Sequence, residues 1–280
     1  MILLSTNIKN YHSIGFYTEY AGHANKLTRE ACERDADLIV AVGGDGTFNE
    51  VINGVLASRK NDVGIAFIPN GTGNDFCSGQ KITFNLEKFL KGLEFQRFRS
   101  IDAGMIQNSD DETRYFVNIA DIGFGGHTTH LLNQQRANGL KGGLSYSVAI
   151  FRAFLNFKKP EVKIISDGKL IYEGRLMMLT FCNGDRFANG LIIHPGAKPD
   201  DGLLNLTLLG DVNLWDYISN IGRLKKGKLI VHPSITYHET KTIHVDIIKG
   251  KALIETDGEV FGSGSISVTV LTNAIKLLEY

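Results

Sequence analysis

Residues 38–51 read LIVAVGGDGTFNEV, from Leu38 to Val51. Leu38-Ile39-Val40-Ala41-Val42 is an unbroken apolar run, the pattern of a parallel strand covered on both faces. Gly43, Gly44 and Gly46 then allow a tight turn and close backbone approach to a ligand. Past the turn, Val51, Ile52, Val55 and Leu56 recur at i, i+1, i+4 and i+5, which makes one apolar helical face. Strand, glycine turn and helix form part of an α/β unit. Asp45, at the turn, is either a turn former or a chemical group.

Working outward, 23–36 reads as a helix on Ala24, Leu27 and Ala31, and 14–18 as a strand before it. Residues 63–68 form another apolar strand, closed by Pro69-Asn70-Gly71. This alternation predicts a parallel sheet with helices on its faces. From about Ile101 the texture changes. Short strands are expected at 103–107, 115–122, 162–166, 175–182, 204–209, 234–238, 242–247, 252–256 and 265–271. Asp167-Gly168 and Asp257-Gly258 separate several of them, a mostly antiparallel pattern. One helix interrupts, with Leu144, Val148, Phe151 and Leu155 on one face. That face is expected in the core, with contact to lipid as the alternative. Two domains follow, with the boundary near residue 100.

Bulk properties exclude several classes. The 280 residues hold 30 basic and 30 acidic side chains, so no net charge favours nucleic acid or a strongly anionic surface. Cys32, Cys77 and Cys182 are far apart and lack metal-type pairing, which suits small buried residues in a reducing compartment. The leading MILL is too short for a signal peptide and no apolar run approaches a membrane span, so a cytoplasmic protein is expected. The scattered histidines contain no HxxxH or HxH pair. Lys225, Lys226 and Lys228 read as a solvated loop, or as a contact with anionic headgroups.

Two glycine turns follow neighbouring strands: GGDGT at 43–47 and PNGTGNDF at 69–76. In an open parallel sheet, ligands bind where the strands end. Backbone amides, Thr47 and Thr72 hydroxyls and a helix N-terminus together favour a phosphate there. An acid in each turn, Asp45 and Asp75, conflicts with phosphate unless Mg²⁺ lies between, directly or through water. GxxxxGK[ST] and GxGxxG are both absent, which argues against a Walker-type NTPase and a dinucleotide dehydrogenase.

GGDGTFNEVINGV followed by PNGTGNDF resembles the diacylglycerol kinase catalytic domain, in particular the bacterial soluble lipid kinases. The similarity continues through Asn118-Ile-Ala-Asp-Ile-Gly, Pro195-Gly-Ala-Lys-Pro-Asp-Asp-Gly-Leu-Leu and Thr256-Asp-Gly-Glu259, in the expected order over nearly the whole chain. The resemblance implies an α/β nucleotide-binding domain at 1–100 and a β-sandwich lipid-substrate domain at 101–271, with 272–280 returning to the first. It implies an ATP- and Mg²⁺-dependent lipid kinase, acting on a substrate such as diacylglycerol in peripheral contact with a membrane. Gly43, Gly44, Asp45, Gly46, Thr47, Phe48, Asn49, Gly71, Thr72 and Asp75 would bind ATP, with Thr18 near its adenine or ribose. Glu259 would be the general base, with Asp257 beside it and Asp45 linked to Mg²⁺. Asp201, with the carbonyls of Lys198 and Leu203, would hold a second Mg²⁺. The chain departs from the family at two places. The usual opening strand and NPxSG-like loop are missing, with Met1 to Asn10 reading as the tail of the following helix. Gly125-Gly126 also stands where many relatives carry Asp-Ala. An NAD kinase, which shares GGDGT, and a non-catalytic nucleotide- or lipid-binding relative are the alternatives. Which lipid is used and the oligomeric state stay open.

Overall fold

The computed structural model describes residues 12–60, 62–139, 143–188 and 190–280, so the reading of Met1 to Asn10 lies outside the described residues. The chain runs α1 (His23–Glu33), β1 (Leu38–Gly43), α2 (Asp45–Ser58), β2 (Gly64–Pro69), α3 (Asp75–Gly79) and α4 (Leu86–Glu94). It continues with β3 (Phe98–Asn108), β4 (Thr113–Phe116), β5 (Ile119–Gly123), α5 (Phe124–Ala137) and α6 (Gly143–Asn156). Next come β6 (Glu161–Ser166), β7 (Lys169–Arg175), β8 (Met178–Cys182), β9 (Arg186–Phe187), β10 (Leu191–Ile192), β11 (Leu204–Leu209) and α7 (Leu214–Lys225). The last strands are β12 (Ile235–Thr240), β13 (Thr242–Lys249), β14 (Leu253–Thr256), β15 (Glu259–Ser263) and β16 (Ile266–Leu278).

β1 and β2 are parallel, with Leu38 opposite Gly64 and Gly43 opposite Pro69, so both glycine turns leave the same edge of the sheet. α2 buries Phe48, Val51, Ile52 and Val55 beneath them. Phe48 stacks on Phe67 with ring centroids 4.4 Å apart. Residues 14–18, expected as a strand, are exposed coil. Among the described residues no strand pairs with them, and extended backbone without a ladder has little to hold it.

β16 joins two regimes of one sheet. Its first half pairs antiparallel with β13, while Lys276 and Leu277 pair parallel with β2. β3 runs antiparallel along its whole length, with a register shift between Leu271 and Ile275. Asn273 sits in that shift at a φ of 52°. β6, β7 and β4 complete the sheet. A second sheet, ordered β12-β11-β8-β5-β14-β15, is antiparallel throughout. Apolar residues of the two sheets, among them Ile106, Val162, Phe181, Leu206, Val245 and Ile254, form a single buried cluster, as in a β-sandwich.

Some sequence expectations need correction. The strand expected at 115–122 breaks at Val117-Asn118 into β4 and β5, which belong to different sheets. The break occurs because the amides of Val117, Asn118 and Ile119 turn to the Asp257 carboxylate. The face of α6 expected in the core points outward: Phe151 is 53% and Leu155 67% exposed, while Ala149 and Ala153 are fully buried. Apolar residues occur on both sides of this helix, so its periodicity does not choose the buried one.

Candidate active site

The two glycine turns touch. A Cβ on Gly71 would lie 2.4 Å from the Gly44 Cα, so no side chain fits between them. The Asn70 amide donates to the Gly43 carbonyl at 2.7 Å, and the Asn74 carboxamide bridges the N–H and C=O of Gly71. Asp45 opens α2, and its Oδ2 accepts the Asp75 amide at 3.2 Å. Its Oδ1 is enclosed without a hydrogen-bond partner. An unpaired carboxylate oxygen beside open backbone amides suits a hard cation such as Mg²⁺ that also binds phosphate. Thr72 is exposed at the turn tip and Thr47 lies on the first turn of α2.

Glu259 reaches this place from the other end of the chain, on β15 of the second sheet: a Cβ on Gly46 would lie 3.7 Å from its Oε1. Arg114 of β4 pairs with the other oxygen of Glu259 and reaches Asn49 Oδ1 at 3.4 Å. Asp257 occupies the first position of a tight hairpin turn, with φ values of 47° there and 92° at Gly258. Its two oxygens accept from the amides of Val117, Asn118 and Ile119 at 3.0–3.1 Å and from Asn49 Nδ2 at 2.8 Å. Desolvation raises its pKa to about 6, with those donors and Asn49 opposing and the Glu255 charge adding to the rise. Asn49 is buried and also donates to the Tyr115 carbonyl at 3.2 Å. Asn53 closes the same junction, accepting from the Tyr115 amide at 2.9 Å and donating to its carbonyl at 2.9 Å.

The structure therefore brings Gly44, Asp45, Gly46, Gly71, Asp75, Asp257 and Glu259 into one region. It directs the Phe48 and Asn49 side chains inward, Phe48 onto Phe67 and Phe76 and Asn49 onto Asp257. Thr18 lies in the exposed segment before α1, and among the described residues none of the hydrogen bonds above reaches it. Sequence reasoning missed Arg114 and Asn53, whose partners are distant in the chain and leave no local signal.

A cavity of about 350 Å³ opens from this acidic end. Asp45, Asp75 and Asp257 line it together with Phe124 of α5, Phe154 of α6 and Tyr217 of α7. Rings of Phe124 and Phe154 lie 4.4 Å apart, and those of Phe154 and Tyr217 5.6 Å. A mostly apolar space ending in carboxylates has room for an amphiphile.

Asp201 lies elsewhere, in the exposed turn before β11, where its Oδ1 accepts the Leu203 amide at 3.1 Å. Partial burial raises its pKa, and the nearby carboxylates of Asp102, Glu239 and Asp200 add to the rise. Asp102, unremarked in the sequence, is buried and accepts from the amides of Gly202 at 2.7 Å and Asn273 at 2.8 Å. One carboxylate among acids, with Lys198 and Leu203 carbonyls in the same turn, fits a hard cation. Among the described residues, no three His, Cys, Asp or Glu side chains cluster as a metal site. No helix among them is long and apolar enough to cross a membrane.

Comparison with known proteins gives the family. The diacylglycerol kinase catalytic domain model matches residues 6–106, and the YegS C-terminal NAD kinase beta sandwich-like domain model matches 118–279. A diacylglycerol kinase of Bacillus subtilis (strain 168) is 30% identical over 259 residues, covering 90% of this chain and 80% of that protein. One of Staphylococcus haemolyticus (strain JCSC1435) is 27% identical over 263 residues, covering 93% and 76%. The crystal structure of a diacylglycerol kinase from Bacillus anthracis str. Sterne shares the fold, with a TM-score of 0.67 at 22% identity over 95% of this chain and 84% of that one. The chain belongs to the diacylglycerol kinase catalytic domain family, and it is a lipid kinase.

Proposed function

We propose that this lipid kinase transfers the γ-phosphate of ATP to a hydroxyl of a membrane lipid such as diacylglycerol. The observation that carries the reading is the continuity of two unlike spaces. Asp45, Gly73 and Asp75, which belong to the two glycine turns, line the same cavity as Asp257 and the apolar side chains. The turns and the N-terminus of α2 hold the phosphates by backbone amides. Asp45 would hold Mg²⁺, which supplies charge neutralisation to the phosphates when bound. Glu259 takes the proton from the lipid hydroxyl as that oxygen attacks the γ-phosphorus, and ADP leaves. Arg114 orients Glu259. Asp257 has its oxygens engaged by four N–H donors and acts by holding the turn. Asp201, with the carbonyls of Lys198 and Leu203, would hold a second Mg²⁺ away from the reaction.

The acceptor reaches the cavity from a membrane surface. Inner residues of α6 and α7, Ile150, Phe154 and Tyr217, line the cavity, while Phe151, Leu155, Trp215 and Ile218 are exposed on the same two helices. Lys225, Lys226 and Lys228 at the end of α7 add attraction to anionic headgroups. ATP as donor places the reaction at the cytoplasmic face.

Labelled-ATP transfer across a panel of diacylglycerol, phosphatidylglycerol and sphingoid bases in vesicles tests the proposal. Glu259→Gln is expected to lower kcat on the best acceptor by about 10²–10⁴-fold while leaving the KM for ATP within about twofold. Equal turnover by the two proteins would reject Glu259 as the base, and transfer to NAD in place of every lipid would reject the acceptor class.

A further inference from the structure

Behind the Asp257-Gly258-Glu259 turn lies a second pair of acids. Asp121 of β5 and Glu255 of β14 are directly opposite each other across the ladder. They are 1% and 7% exposed. The two carboxyls therefore lie in neighbouring strands in a dry interior, and each acts on the other's titration. Two ionised carboxylates repel and offer only acceptors, so a hydrogen bond between them needs a proton on one. The arrangement extends at both ends: Asp121 Oδ1 accepts the Gly126 amide at 3.0 Å, and Glu255 Oε1 accepts the Gly258 amide. Space for it is reserved, because a Cβ on Gly125 would lie 2.0 Å from Asp121 Oδ2.

The groups facing the pair are Tyr146 of α6, Cys182 of β8, Asp257 in the turn and Glu259 of β15, all neutral or acidic. Arg136 of α5 and Tyr217 of α7 line the same cavity, Arg136 from an exposed position. Burial pushes both carboxyls upward, Glu255 well above the usual range because the Asp121 charge adds to the penalty. The pair therefore keeps a proton at pH values where exposed carboxylates have lost theirs.

Gly258 is the middle residue of the turn that carries Asp257 and Glu259. We propose that Asp121 and Glu255 are positioning residues that share one proton and, through the Glu255–Gly258 hydrogen bond, set the turn that presents Glu259 to the lipid hydroxyl. This rests on Glu259 being the base. Loss of the proton puts two charges side by side in a buried site, and the strain falls on Gly258.

Three variants test it. Glu255→Gln gives Asp121 a fixed N–H donor and keeps an oxygen for Gly258. Its kcat at neutral pH is expected within about threefold of wild type, and the alkaline decline of kcat expected in wild type, as the pair loses its proton, is expected to be absent. Asp121→Asn supplies a donor to Glu255 and is expected to do the same. Glu255→Leu leaves the Gly258 amide unheld, with kcat lowered on the order of 10–100-fold at an ATP KM within about twofold. The Gly258 amide resonance is expected to shift with the alkaline transition in wild type and stay still in Glu255→Gln. That readout does not depend on which residue is the base, whereas a wrong base shows only as full activity in Glu259→Gln. An unaltered alkaline decline and Gly258 titration in Glu255→Gln would overturn the proposal, and so would wild-type kcat in a folded Glu255→Leu.

Discussion

Within GGDGTFNEV, neighbouring residues work in opposite directions. Asp45 keeps an oxygen toward the turns, but Asn49 and Glu50 face the protein. Glu50 accepts the amides of Gly22 and Ala24 at 2.7 and 2.9 Å and so caps α1, whose own N-cap glycine offers no side chain. Asn49 joins α2 to the carbonyl of Tyr115 and to Asp257, a residue 208 positions away. Residue identity showed that these positions matter, but not in which direction they point. Asn49→Ala removes the donor from two acceptors in a largely dry place and is expected to cost about 1–3 kcal/mol. Asn49→Asp is expected to cost more, since it sets a second carboxylate against Asp257. Urea midpoints at neutral pH measure both. An alanine variant as stable as wild type would show that Asn49 contacts ligand and not the turn. Glu255 and Asp121 carried a readable hint: each is a charge inside an apolar strand, Leu253-Ile254-Glu255 and Ile119-Ala120-Asp121, where an unpaired carboxylate is too costly to bury.

At the scale of elements, α2 and the strands β1, β2 and β11 were legible because their apolar patterns have one solution. α6 was not. Ala149 and Ala153, both fully buried, make the buried side mostly small, and Phe151 and Leu155 make a larger exposed one. Size misleads here, since the helix packs closest where its side chains are smallest. Trp215, 76% exposed on α7, belongs with this outer surface. If these residues enter the headgroup region, Phe151→Ser with Trp215→Ser is expected to weaken binding to anionic vesicles about tenfold or more, from lost apolar burial. Transfer to lipid in vesicles is expected to fall alongside, and transfer to a short-chain lipid free in solution to fall far less. Equal losses on both substrates would mean that the outer residues support the cavity and do not meet a membrane.

For the whole molecule, the Asp-Gly turns and close-spaced strands made the sandwich legible, while the continuity of its first sheet with the parallel strands was hidden. Thr272-Asn273 interrupts the apolar pattern, so 265–271 looked complete. The bulge at Asn273 lets β16 continue to Leu278 and pair with β2. The active region depends on that continuity, since Asp45 comes from one end of the chain and Glu259 from the other. Its acids also govern how stability varies with pH. The exposed acids Asp167 and Asp211 have lowered pKa values: at Asp167 desolvation is the largest single effect but several hydrogen bonds together outweigh it, and at Asp211 the cause is Lys159. Their contribution is lost only as pH falls through those low values. His127 and His194 are lowered by burial, so they favour the fold above the ordinary histidine range and lose that contribution in acid. Above about pH 7 the lowered acids are constant and the histidines nearly so, while the raised carboxyls of Asp121 and Glu255, and Asp257 raised to about 6, work the other way. On the shared-proton proposal the folded chain holds a proton there that the unfolded chain has released, so stability is expected to decline as pH rises through the raised values. Cys77 and Cys182, pushed by burial to about 12, extend the same decline once unfolded thiols begin to ionise near 9. Unfolded thiols already ionise in part by about pH 8.5, so the difference between wild type and Glu255→Gln in urea midpoints from about pH 7 to 8.5, in which thiols and histidines cancel, isolates the pair. Wild type is expected to weaken steadily across that window and Glu255→Gln to weaken less. A flat or rising wild-type curve, or two parallel curves, would mean that the pair carries no proton into neutral solution.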